Sequence, residues 1–153
     1  MSKKDDYKEA RKNLVTMATN LNLVPSSKQG KSLQLALDLL DNVSKFDIVT
    51  LCGSTKFKDE FFRVYSELSL QGKMVLMPAV FSHADNIELS EDQEMTLKIL
   101  HCQKIYIADE IYVINPGDYI GEQLTYEILY AMELGKDVTF MEKTSFYEKN
   151  EMI

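Results

Sequence analysis

From residue 46 onward, short apolar runs alternate with longer amphipathic ones, and this alternation decides the fold class. FDIVTLC (46–52), KMVLMPAVF (73–81), EIYVINP (110–116) and DVTFME (137–142) have strand length and strand composition. Between them lie three segments with helical periodicity. Residues 56–71 place Phe57, Phe61, Val64 and Leu68 on one face and stop at Gly72. Ser90 with Gln93 is a capping-box pair that opens a helix over 91–107. In 119–135, YIGEQLTYEILYAMELG, the residues Leu124, Ile128, Ala131, Met132 and Leu134 recur at helical steps, and Gly135 ends the run. SHADNIEL after the second strand reads as a loop, and the tail to Ile153 as short and polar. The alternation predicts an α/β domain: a mostly parallel sheet of four to five strands with helices on both faces.

Residues 1–45 follow a different pattern and predict an N-terminal helical extension ahead of an α/β domain spanning 46–153. Segments 4–21 and 31–44 are amphipathic, and VPSSKQGK between them reads as a turn. Tyr7, Leu14, Met17, Ala18 and Leu21 line the first helix; Leu33, Leu35, Leu37, Leu39 and Leu40 line the second. Those faces exceed what one side of a four-stranded sheet can cover, which predicts a homodimer or larger homo-oligomer. The 153 residues suffice for one real core, and the composition, 45% hydrophobic and 27% charged, is that of an ordinary globular protein. A formal net charge of -7 argues against nucleic acid or an anionic membrane as partner. No apolar run approaches the roughly 20 residues of a membrane span. The opening MSKKDDYKEARKN has no apolar stretch of a secretory signal, so a cytoplasmic protein is expected. Cys52 and Cys102 form no CxxC pair and sit in apolar contexts, which predicts two buried free thiols. The His and Cys spacings offer no zinc set, so neither metal nor cofactor is expected.

In a parallel sheet, ligands bind at the carboxyl edge of the strands, where the strand order reverses. Three segments emerge there. CGSTKF supplies Gly53, Ser54, Thr55 and Lys56 where a strand hands over to a helix, a place where backbone N–H groups and the helix dipole favour an anion. The hydroxyls there either cap the helix or hold a ligand; no GxGxxG or Walker A loop is present. SHAD supplies His83, placed to touch a ligand or to serve the loop itself. NPGDYIGE supplies Asn115, Asp118, Gly121 and Glu122, suited to sugar hydroxyls or to an ordinary turn. Glu127 is the anomaly. It lies on the apolar stripe of its helix, where a carboxylate costs stability unless paired or used. Pointing toward the strand edge, it enters the crevice beside Gly53; otherwise it snorkels or forms a salt bridge.

The strand ending in CGST, the Ala108-Asp109 pair before a later strand, and the helix T-x-E-I-x-x-A-x-x-L-G-K together resemble the nucleoside 2-deoxyribosyltransferase-like family, over about residues 46–142. That family includes base-swapping transferases and nucleoside 5'-monophosphate N-glycosidases. The resemblance implies a flavodoxin-like or Rossmann-like sheet, no cofactor and a small nucleoside or nucleotide as substrate. It implies Glu127 as covalent nucleophile at C1', Gly53, Ser54 and Thr55 at the sugar or phosphate, and a proton donor among His101, His83 and Asp109. His101 stands where the family commonly has aspartate. Gly121 stands where the transferases tend to have aspartate and the monophosphate hydrolases serine. Two other readings use the same fold: a nucleotide sensor that keeps the Gly53–Thr55 loop without needing Glu127, and an interaction protein without a working pocket.

Overall fold

The computed structural model describes residues 3–43 and 46–149. Among them are seven α-helices and four strands, and the chain divides into two compact units between Phe46 and Asp47.

The first unit is a helical hairpin of α1 (Lys3–Asn20) and α2 (Lys28–Val43). Arg11 Nε donates to Asp41 Oδ1 across it at 2.6 Å. The second helix starts three residues before its sequence expectation, and the last expected residue, 44, lies outside the described residues. The early start has a local cause: the Ser27 hydroxyl accepts the Gly30 N–H at 3.0 Å and caps the helix. Gly30 therefore lies inside the helix and does not break it. A Cβ there would meet the Val24 carbonyl at 2.2 Å, so only glycine lets the chain fold back so closely. Two helices alone cannot bury both stripes, and Met17, Leu21, Leu35 and Leu39 stay more than half exposed.

The second unit is a Rossmann-like layer. Strands β1 (Ile48–Gly53), β2 (Met74–Leu76), β3 (Glu110–Ile114) and β4 (Asp137–Phe140) form one sheet in the order β2-β1-β3-β4, every pair parallel. The period of two sorts the side chains. Val49 and Leu51 of β1 and Ile114 of β3 join Phe61, Val64 and Leu68 of α3 (Lys58–Leu70) in one core. Cys52, Ile111 and Val113 face the other way, with Ile105 of α5 (Glu91–Ile107) and Leu124, Ile128 and Ala131 of α6 (Glu122–Glu133). Helices thus cover both faces. The Ser90–Gln93 capping box is present in full at the start of α5. Among the described residues no helix is long and apolar enough to cross a membrane.

Three details differ from the sequence expectation. β2 has only three residues, and the chain leaves the sheet before Pro78, which has no N–H for a ladder. SHAD forms a short helix, α4 (Ser82–Asp85), held by the Asp85 N–H to the Phe81 carbonyl at 2.9 Å. The tail is not purely polar: α7 (Phe146–Lys149) buries Phe146 against Phe140, ring centroids 6.0 Å apart. Residues 150–153 lie outside the described part.

Candidate active site

The connection from β1 runs to one side of the sheet and that from β3 to the other, so the order reverses between these adjacent strands. A cleft of about 440 Å³ opens at their carboxyl ends, within the size range of small-molecule sites. Gly53 shapes its rim. It pairs with Ile114, and a Cβ would stand 2.9 Å from Ile114 Cβ and 3.2 Å from the Phe61 ring. The close strand approach, not an unusual φ, requires the glycine.

Ser54 and Thr55 line the cleft beyond it. Ser54 occupies the N-cap position of the 3₁₀ turn Thr55–Phe57, yet its hydroxyl makes no capping bond. Thr55 Oγ1 lies 2.9 Å from Nδ1 of His83, which joins the first loop to α4. Lys56 does not line the cleft; its ammonium lies 3.2 Å from the centre of the Tyr119 ring, and Tyr119 forms part of the cleft wall. Gly121 and Glu122 line it at the start of α6.

Glu127 is only 7% exposed and sits at the cleft floor. Its stripe neighbours Leu124, Ile128 and Ala131 are buried, which carries Glu127 in with them. His101 Nε2, from α5, lies 3.5 Å from Glu127 Oε2, and Gln123 Nε2 donates to Oε1 at 3.3 Å from the preceding turn. Among the described residues no lysine or arginine pairs with this carboxylate. The Cys52 thiol lies beside it, its pKa pushed well above the usual value by burial first and by the Glu127 charge second. Cys102 is only half-buried, in contrast to its sequence expectation, and burial raises its pKa as well. A mild alkylating reagent is therefore expected to label Cys102 slowly in the folded protein and Cys52 only after unfolding, as peptide mass mapping would record.

Three expected site residues serve the framework instead. Asp109 lies at the opposite, amino edge of the sheet, where its carboxylate accepts the Ile48 N–H at 2.8 Å and ties β1 to β3. A strand length separates it from the cleft, so it is no proton donor there. Asn115 is fully buried and pairs with the Glu142 backbone through both ends of its amide, at 3.1 and 3.0 Å. Asp118 accepts from the Ser145 hydroxyl at 2.6 Å, which braces the turn after β3 against the chain beyond β4. Neither lines the cleft.

Gln123 and Cys52 were not expected at the site. Both had a signal: Gln123 stands four residues before Glu127 on one helix, and the alternation of β1 turns Cys52 away from Leu51. Lys104 also reaches the cleft, where its ammonium donates to the Met77 carbonyl at 2.7 Å and burial lowers its pKa. The arrangement places a buried carboxylate, with Gln123 on one oxygen and His101 3.5 Å from the other, in a cleft also lined by Ser54, Thr55 and His83. No family model and no curated protein matches the chain, so its chemistry rests on its own geometry.

Proposed function

We propose that the chain cleaves or transfers the N-glycosidic bond of a (deoxy)nucleoside or nucleoside 5'-monophosphate through a glycosyl-Glu127 intermediate. The observation that carries this reading is the buried Glu127 carboxylate, without a Lys or Arg partner among the described residues, lining a cleft at the sheet's reversal point. Such a group is costly to keep and is suited to attack on a carbon that becomes cationic. Glu127 attacks C1' as the C1'–N bond breaks and the base nitrogen takes a proton. Water or a second base then attacks C1' and frees the carboxylate, a double displacement with retained configuration.

His101, so close to Glu127, orients the nucleophile. His83, which also lines the cleft and is paired with Thr55, serves as the acid for the departing base. Ser54, Thr55 and Glu122 hold the sugar and its 5' group. Incubation with a panel of nucleosides and 5'-monophosphates, with and without a second base, tests the reading by chromatography of released or exchanged base. Saturable binding without turnover supports the sensor reading instead.

Ser54→Ala is expected to weaken ligand binding by about 1–3 kcal/mol, the loss when a buried or charged ligand group loses its partner. Titration calorimetry measures it, and unchanged affinity would remove Ser54 from the site. The exposed apolar side chains on α1, α2 and α5, among them Leu35, Leu39, Met95 and Ile99, support a homodimer or larger assembly. Light scattering at micromolar concentration is expected to give at least twice the chain mass; a monomer would end this idea.

A further inference from the structure

The fold assembles a donor set that the sequence spacing does not suggest. Cys52 Sγ, a ring nitrogen of His101 and a carboxylate oxygen of Glu127 all lie within 4.8 Å of one another. They come from the end of β1, the middle of α5 and the middle of α6, and all three residues are buried. We propose that this cluster is a binding site for a divalent transition metal, with Zn²⁺ the cation its ligands suit best.

The chemistry selects the ion class. Thiolate, imidazole and carboxylate are ligands of zinc, the Cys52 thiol giving up its proton to solvent as the metal–sulfur bond forms, whereas Mg²⁺ and Ca²⁺ take oxygen sets. The 3.5 Å between His101 Nε2 and Glu127 Oε2 matches the roughly 3.5 Å that two ligands keep on a tetrahedral ion with bonds of about 2.0–2.3 Å. The other two pairs lie within 4.8 Å, and a rotamer adjustment of the Cys52 side chain closes them to ligand spacing. Three protein ligands leave a fourth position for water or a bound molecule on the cleft side.

A second observation points the same way. Nδ1 of His101 is buried without a hydrogen-bond partner among the described residues. The carboxylate beside the ring has no lysine or arginine among the described residues. The carboxylate is thus short of positive charge, which a divalent cation would supply, while Nδ1, on the other side of the ring from Nε2, is not itself a ligand. The same bare Nδ1 limits the affinity. A ligating histidine usually gives its second N–H to a carboxylate or carbonyl, and losing that support costs about 10–100-fold in metal affinity. The site is therefore reversible and not a structural zinc centre. Resting on the proposed function, one consequence follows: a metal on Glu127 takes up the electron pair needed for attack at C1', so Zn²⁺ inhibits the enzyme.

Cobalt reports the ligands directly and does not depend on any activity. Chelator-treated full-length protein titrated with Co²⁺ is expected to develop a near-ultraviolet thiolate-to-cobalt charge-transfer band, saturating at one ion per chain and abolished by Zn²⁺. Cys52→Ser should remove the band, Cys102→Ser should keep it, and His101→Gln should weaken binding at least tenfold. Absence of a thiolate band in the wild-type protein would overturn the site without recourse to any variant. A band lost in Cys102→Ser and kept in Cys52→Ser would overturn it equally. The thiolate band in the cobalt-loaded protein, with no base release from any substrate by the chelator-treated, metal-free protein, would uphold the metal site while ending the glycosidic reading.

Discussion

Glu127→Gln is expected to lower base release by several orders of magnitude, on the order of 10⁴-fold or more, while the melting temperature holds or rises. The amide keeps the volume of the carboxylate and can still meet Gln123, its 3.3 Å neighbour. It has no charge and cannot form the glycosyl ester, and deletion of a covalent nucleophile has effects of this size. Stability moves the other way because the wild-type residue is a 7% exposed carboxylate whose neighbours are a histidine, a glutamine and a thiol. Desolvating that charge without a full partner costs free energy that the amide does not incur. A structural glutamate would give the reverse: a clear loss of stability and no catalytic defect. Melting temperature and base release measured on the same two proteins separate these cases.

Phe61→Ala is expected to cost about 3–5 kcal/mol, the range for removing a fully buried aromatic ring. Phe61 is 0% exposed, stacks edge-on against Phe81 at 5.3 Å, and lies under Gly53 at the rim of the cleft. It packs α3 on the face of β1 that carries Val49 and Leu51, so the hole left behind adjoins Gly53, the residue before Ser54. Urea denaturation measures the loss. Leu70→Ala, on the same helix but 90% exposed, should stay within about 0.5 kcal/mol and serves as the control. Equal effects at the two positions would contradict the assignment of Phe61 to the core.

The elements that could be read from sequence are those whose signals are local. The α5 helix starts where Ser90 and Gln93 exchange side-chain and backbone bonds, all within four residues. The α6 helix ends where Gly135 takes a φ of +67°, a conformation glycine adopts without strain. The four apolar runs became four strands because their composition and length left few alternatives. Phe146 was missed because its partner Phe140 precedes it across a turn, and one aromatic in a polar tail has no period to detect. The role of Asp109 was misplaced for a related reason. Its neighbourhood resembles a catalytic motif, but its position before β3 puts it at the amino edge, where it bonds Ile48.

The site itself was half legible. Glu127 stood out because a carboxylate interrupted an apolar stripe, a conflict within one helix. The loop after β1 stood out because topology sends ligands to the carboxyl edge of a parallel sheet. The company of Cys52 and His101 at Glu127 was not legible, since it depends on how α5 and α6 pack on one face of the sheet. Asn115 and Asp118 were attractive as polar residues at the right edge. Their side chains instead satisfy the backbone and hydroxyl groups of the segment after β4, a non-local demand no motif records.

The most direct measurement is mass spectrometry of the protein quenched rapidly in acid during turnover of whichever nucleoside or nucleotide releases its base. A pentose or pentose-phosphate increment is expected on the peptide that contains Glu127, and it should disappear on a chase with a second base or with water. Turnover without that increment, or an increment carried by another residue while Glu127→Gln stays active, would contradict the covalent role of Glu127.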